Sequence, residues 1–478
     1  MKLFTISQEQ ITSGISASVH FKKKGFWWKA TGINPYIDPV QESDESGILQ
    51  TCPVPVDISS TVVVDNIIDG VSKVTGAIAG NLYMLGDSGH FYNKDLSNDN
   101  APTDLRSGTP ITDPANSVVI YKPQGGTEYL YYWQKTQIGR WDLSGSHPTG
   151  WVDNQFTGLE STVYHPRHQF KDNIYYGNKD RIGMIYNSSG TATNNTNVLD
   201  FPSDYLTICL NDDGTYLVAG ITKNTSSSIL RSDTKVIFWD TFSPSWNKEW
   251  SIPDFGIIAI KKFGNGFLAI CPRGLYYFDF YTKPRKLRRI FARFGATNAT
   301  DIFNDSVLFG AKGSGIVASY GKLMPEAEAN VYIEPFSGFT GGDVSFIDST
   351  VRSGRIYVGN YNGDFYYIDT GTGGLTSIAP ESVYIPLRDE YRINRLDFHL
   401  AEPLASTDAC TVSLQRDEDT AAVQIREVSY ANYPGWKTIP IDTSFVGDQV
   451  KFKFSFTGGN VKIKSIDVYG ELNRQKGR

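Results

Sequence analysis

The chain has 478 residues, a net charge of −6, 20% charged residues and 13% aromatic residues, with 27 Tyr, 27 Phe and 45 Gly. That length allows two or three domains, or one large β-domain with additions. Tyr and Phe suit the half-buried surface of a strand and Gly supplies turns, so an all-β protein is expected. The acidic balance gives the molecule as a whole no electrostatic reason to seek nucleic acid or an anionic membrane.

In chain order, the first sixty residues show no repeat. "SVHFKKKGFWWKATG" mixes charge with Phe26, Trp27 and Trp28, and "GINPYIDPVQESDESGILQTCPVPVDIS" adds prolines and a short acidic cluster. Proline removes ladder donors, so residues 1–60 are expected to form an extended N-terminal arm. The Trp pair is a candidate partner contact, with packing on the protein's own body as the plainer alternative. The start has no apolar segment of the signal-peptide kind. No apolar run approaches the roughly 18 residues of a membrane span. A soluble protein made in a cytosol is the expectation.

From residue 61 to 387 one grammar recurs: a short apolar strand, a turn, then an aromatic strand ending at Asp or Asn. "GRIYVGNYNGDFYYIDTGTGG", from Gly354 to Gly374, spells it most clearly. The earlier copies place their first strand at Leu82, Leu130, Ile174, Leu217, Phe267 and Val307, and this one at Ile356, at spacings between 40 and 50 residues. Six of the seven second strands end on Asx: Asn93, Asp142, Asn187, Asp240, Asp279 and Asp369. Such a side chain accepts bonds from amides about two residues on and starts the next turn. A repeat of this length carrying only strand signals indicates propeller blades, which bury their faces by stacking around a circle. The expectation is a seven-bladed β-propeller over residues 61–387. Leftover strands in "TVVVDNIID" (Thr61–Asp69) and "SVYIPL" (Ser382–Leu387) are candidates to close the ring.

Beyond Arg392 the strands lengthen. Val450, Phe452, Phe454 and Phe456 alternate with Lys451, Lys453 and Ser455, a pattern with one face buried and one wet. Residues 392–471 are expected to form a C-terminal antiparallel β-sandwich, followed by a basic tail at 472–478.

Chemistry is harder to find. Cys52, Cys209, Cys271 and Cys410 are widely spaced, so buried free thiols are expected rather than a disulfide framework or a metal site. Of six histidines only His165 and His168 are close, and His-x-x-His with a proline inside lacks the helical spacing of a zinc protease. No nucleophile elbow, Walker loop or dinucleotide fingerprint occurs, so no catalytic residue, cofactor or metal is expected. Sialidase and other glycosidase propellers draw their catalytic groups from several blades, which leaves that alternative open, although the S-x-D-x-G-x-x-W turn of sialidases is absent. The densest charge feature is "KPRKLRRIFARF", with Lys283, Arg285, Lys286, Arg288, Arg289 and Arg293. It could meet phosphates or an acidic neighbour. The plainer reading is an edge strand protected by charge.

The Pro-rich entry "GINPYIDPVQESDESGILQTCPVPVDIS", the strand-only body and the closing "FSFTGGNVKIKSIDVYGEL" together resemble virion proteins of tailed bacteriophages. Trp141-Asp142 and Trp239-Asp240 lack the Gly-His that accompanies them in cellular WD40 repeats. The resemblance implies a non-enzymatic structural component of the virion. It would be a propeller subunit assembling as a ring of copies in the tail nozzle or head–tail connector, beside other virion proteins and close to packaged DNA. A receptor- or glycan-binding propeller of the tail is the alternative it carries.

Overall fold

The computed structural model describes the chain except residues 7–26, 30–32, 38–47, 60–62, 64, 77–78, 162–163, 224–232, 290–292, 295–297, 304, 313–314, 323–330, 340–341, 353, 370–379, 383, 417–421, 459–460 and 474–478. Among the described residues every regular element is a strand. Seven antiparallel sheets follow one another, and each hairpin read from the sequence supplies the two middle strands of one sheet. Blade 2, for example, runs Pro114–Tyr121, Tyr129–Gln134, Gln137–Trp141, Trp151–Thr157. The first strand of each blade touches the first strand of the next around the whole circle, including Val344–Arg352 of blade 7 against Ile67–Gly76 of blade 1. The protein is a seven-bladed β-propeller.

The middle strands read as nearly continuous apolar runs because both of their faces are covered. In blade 2, Leu130 and Tyr132 pack on Tyr83 and Phe91 of blade 1. The alternate side chains Tyr131 and Trp133 pack on Ile174 and Tyr176 of blade 3. The same interleaving joins Phe238 of blade 4 to Phe267 of blade 5 and Tyr357 of blade 7 to Leu82 of blade 1. The cysteines are free and buried, and two of them, Cys209 and Cys271, sit in the layer between blades 4 and 5.

The Asx rule holds locally. Asp142 accepts the amide of Ser144 at 3.0 Å, and Asp240 accepts those of Phe242 and Ser243 at 2.8 Å. In blade 1 the role moves to Asp95, which bonds the amide of Ser97 at 2.8 Å, rather than Asn93. In the hairpin of blade 7, Gly363 takes φ +83°, which a side chain would resist, while the Asn360 side chain accepts the amides of Asn362 and Asp364.

Innermost strands expose backbone groups, and neighbouring blades satisfy them. Asp69 of blade 1 accepts the amide of Val118 in blade 2 at 2.8 Å. Arg167 of blade 3 donates to the Val118 carbonyl at 2.7 Å and to the Asp69 carboxylate at 3.1 Å, joining three blades. Asn211 of blade 4 likewise bonds the carbonyl of Ile260 in blade 5.

Closure differs from the expectation. Ile67–Gly76 is the innermost strand of blade 1. Ser382 pairs with Trp27, and Ile385–Leu400 leaves the ring. The outer strand of blade 7 is Val56–Asp57, whose residues oppose Tyr367 and Tyr366. A strand from before the first blade thus completes the last one. It follows Pro55, which is tolerated at a sheet edge.

Described segments of the first sixty residues, where an extended arm is expected, pair with strands distant in the chain. Lys2–Ile6 pairs antiparallel with Ile463–Leu472, with Phe4 opposite Val468 and Ile6 opposite Ile466. Ile33–Ile37 pairs with Ile48–Thr51, whose Leu49 meets Ile463. In the same sheet system the 21-residue strand Thr438–Gly458 pairs with three others, one of them Glu381–Ser382, whose Glu381 opposes Lys453. Its first half opposes Ile385–Leu400 and its second half opposes Ala409–Gln415. The alternation expected there places Val450, Phe452, Phe454 and Phe456 in the core. Lys451 departs from it: it is buried, with its ammonium 5.0 Å from the centre of the Tyr384 ring. One apolar cluster runs from these residues into Leu268 and Ile270 of blade 5 and Val307 and Phe309 of blade 6.

Candidate functional site

The part of the basic run from Arg285 to Arg289 falls on the outside of the ring. Arg285–Arg289 is the last strand of blade 5, laddered on Gly274–Phe278 alone among the described residues. Arg293 belongs to the short strand Arg293–Phe294 of blade 6, so a run continuous in sequence is divided between two blades. Phe26 lies outside the described residues. The backbone of Trp27–Lys29 pairs with Glu381–Ser382 in the terminal sheet system and is not part of this strand. The side chains of Trp27, Trp28, Arg288, Arg289 and Arg293 are likewise outside the description.

Lys283, Arg285 and Lys286 are exposed. Each lies over an aromatic ring rather than against a described carboxylate. The Lys283 ammonium is 5.7 Å from the centre of Trp250, the Arg285 guanidinium 5.3 Å from Tyr277, and the Lys286 ammonium 5.4 Å from Tyr276. Cation–π contacts of this kind hold a charge in place without neutralising it.

Two hollows flank the strand. On the blade 4 side an open groove of about 800 Å³ is lined by Asp233, Glu249, Trp250, Ser251, Ile252, Pro253, Asp254, Phe255, Arg273, Lys283 and Pro284. Trp250 projects from Lys248–Ile252, the outer strand of blade 4, and its indole N–H donates to the carbonyl of Asp279 at 3.1 Å, which fixes the ring. Lys248 approaches the same ring at 4.3 Å. Farther along the groove the Arg273 guanidinium stacks on Phe255 at 3.5 Å. On the blade 6 side a hollow of about 500 Å³ is lined by Phe263, Asn265, Tyr277, Arg285, Leu287 and Tyr320.

The carboxylates of the larger groove have protein partners, Glu249 through one oxygen. Asp254 accepts the amides of Phe255 at 2.7 Å and Arg273 at 3.2 Å, and the hydroxyl of Tyr276 at 3.2 Å. Burial, and then the Asp254 charge, push the Tyr276 phenol well above its usual range. Asp233 accepts the Tyr205 hydroxyl, and Glu249 pairs with Lys235 at 3.3 Å. The turns begun by Asp240 and Asp279 present Phe242, 83% exposed and 4.8 Å from the Lys171 ammonium of blade 3, and Tyr281, 87% exposed.

The histidines take separate roles. His165 is fully buried, its ring nitrogens 2.8 Å from the Gly177 carbonyl and 3.1 Å from that of Lys135. His168 bonds Asp212 at 2.6 Å. Among the described residues no group of three His, Cys, Asp or Glu side chains could hold a metal ion, and no helix is long and apolar enough to cross a membrane.

Of the residues singled out in the sequence, the structure brings Lys283 to the larger groove and Arg285 to the smaller. Trp250, Phe255, Asp254 and Arg273 carried no motif, because three separate strands and loops of two blades meet there. The one available signal was Trp250 as an aromatic in the alternating outer strand "KEWSI".

No protein-family model matches the chain, and no curated protein does. Three solved structures are similar to parts of the chain. The computationally designed Ika8 protein is similar over 66% of this chain and 99% of its own, at 13% identity and TM-score 0.39. The WD40 domain of Neurospora crassa Pan2 is similar over 70% of this chain and 97% of its own, at 11% identity and TM-score 0.46. Chaetomium thermophilum Raptor is similar over 68% of this chain, which spans 29% of Raptor, at 9% identity and TM-score 0.47. No property of these proteins passes to this one, whose seven-bladed ring rests on its own sheets and their contacts.

Proposed function

We propose that the chain is a non-enzymatic structural component of a tailed-bacteriophage virion, a propeller subunit standing in a ring of copies at the tail nozzle or the head–tail connector. The terminal sheet system acts in this reading as a two-layer β-sandwich that contacts neighbours, and packaged DNA passes nearby. The observation that carries it is the double closure of the chain. Val56–Asp57 completes the last blade, and Lys2–Ile6 completes the sheet containing Ile463–Leu472. A disc latched at both ends keeps its shape under load while its loops and outer strands remain free to differ, which suits a subunit that transmits force and makes no bonds of its own. The basic outer strand of blade 5 then serves as a contact for an acidic neighbour or for phosphates.

Electron microscopy of purified particles carrying a label on this chain tests the proposal. A cyclic array of labels at the tail tip or head–tail junction is the expected result. Particles without the chain, or labels scattered over the capsid, would overturn it.

A further inference from the structure

We infer that the groove between blades 4 and 5 is a binding site for an uncharged oligosaccharide, with Trp250 as its platform and Glu249, Arg273 and Lys283 as its polar contacts. The inference stands apart from the virion assignment, since a ring subunit and a soluble binding protein could equally carry such a groove.

Three features of the lining select the ligand class. The first is the aromatic surface: Trp250 is half-buried and held by its bond to the Asp279 carbonyl, and Phe255 stands farther along. Rings fixed in this way offer flat apolar area at little entropic cost. Four residues lie between them, so their Cα atoms are at most about 18 Å apart. The second is the mixture of polar groups. Glu249 offers acceptor oxygens, while Ser251, Arg273 and Lys283 offer donors. A ligand meeting both must itself donate and accept at many points, as a polyhydroxylated chain does. The third is the balance of charge. Asp233, Glu249 and Asp254 stand against Arg273 and Lys283. The carboxylates repel a nucleic acid or acidic polysaccharide, and the cations repel a basic peptide.

Size and shape agree. About 800 Å³ lies within the ordinary range for a ligand pocket, and the groove is open along one side, so it suits a chain laid across it rather than a single engulfed ring. Lys248 and Lys283, both over Trp250, are long and movable, and can exchange the indole face for ligand hydroxyls.

The test uses the full chain on an array of neutral oligosaccharides, followed by calorimetric titration with array hits and with maltohexaose, cellohexaose and chitohexaose. Saturable binding to at least one neutral oligosaccharide is expected. Trp250→Ala should weaken it by about tenfold or more, as for a central interface aromatic, with Trp250→Phe restoring part of the affinity. Glu249→Gln and Lys283→Ala should each weaken it about threefold, a loss of one hydrogen bond's net contribution. Tyr430→Ala, in the turn after the terminal strand Val423–Ser429, should leave it unchanged, and melting temperatures of all variants separate lost binding from lost fold. Absence of any saturable hit on the array would overturn the inference. So would binding indifferent to Trp250→Ala and Lys283→Ala in folded protein, or binding only to heparin or a single-stranded oligonucleotide with steep salt dependence.

Discussion

The propeller and the terminal sheet system are both antiparallel, yet they are assembled from the sequence in opposite ways. Each blade is a meander of strands consecutive in the chain, and only the seventh borrows one from elsewhere. The terminal system pairs Lys2 with Tyr469 and Trp27 with Ser382, and one strand is shared by three ladders. Local meanders leave a repeating trace that can be read along the chain. Pairing between the chain's two ends leaves none, and it must also wait, in folding, for distant segments to meet. The apolar cluster that runs from Phe454 into blades 5 and 6 nevertheless ties the terminal part to the repetitive one.

That contrast can be broken most forcefully in the two cores. Phe454→Ala and Phe238→Ala each remove a buried ring and are expected to cost about 3–5 kcal/mol. Because one cluster spans both regions, calorimetry should show Phe454→Ala lowering a single cooperative transition; two separate transitions, with only one shifted, would sever the regions energetically. Next comes the terminal latch. Ile6 is 8% exposed, and Ile6→Ala should cost about 2–4 kcal/mol in denaturant unfolding although it lies at the very start of the chain. An N-terminal segment behaving as a free arm would show no such loss.

The inter-blade polar joints rank below the cores. The Arg106 side chain is 2% exposed, forms a two-pronged pair with Asp153 at 2.8 and 3.1 Å, and lies 4.9 Å over Trp151. Arg106→Ala should cost about 1–3 kcal/mol, measured the same way.

The two regions also make a matched pH test. Bonds from Arg106, and then from the Tyr132 hydroxyl, overcome partial burial and hold the Asp153 carboxyl below its usual range. In the terminal system burial opposes ionisation of Asp467, and the bonds from Lys2, Thr5 and His399 overcome it. For an acid held down in the folded state, the stabilisation is complete above the ordinary carboxylate range and is lost as pH falls through the folded value. Melting temperature followed from pH 7 downward should therefore fall less steeply in Asp153→Asn and in Asp467→Asn than in the parent. Equal slopes in parent and variants would remove both groups from the acid response.

The smallest effect is expected on the basic outer strand. Lys286 is exposed, with its ammonium 5.4 Å from the centre of the buried Tyr276 ring, so Lys286→Ala should change stability by no more than about 0.5 kcal/mol. A larger loss would make that strand a structural part of blade 5 rather than a contact surface.

Much of the ring was legible because its cause is local. Tyr131 and Trp133 must reach one neighbour while Leu130 and Tyr132 reach the other, so the middle strands carry dense apolar residues at every copy. The turn-starting carboxylates Asp142, Asp240 and Asp279 were equally readable, since they act on amides two or three residues away. Val450 to Phe456 announced a buried face by simple alternation, and Lys451 escaped it because its burial depends on Tyr384, remote in the chain. Val56–Asp57 is too short to carry a pattern of its own. The groove was least visible: Trp250, Phe255, Arg273 and Lys283 share no spacing rule, and only the stacking of two blades makes them neighbours.

By itself, then, the sequence determined the module, its number and its turns, because hydrogen bonding and side-chain alternation within a hairpin act over a few residues. Tertiary structure alone decided which strand latches the ring, where the chain's two ends pair, and which cations face which rings. Those outcomes follow from surfaces meeting across long stretches of chain, where apolar burial and leftover backbone donors select a partner that no local pattern names.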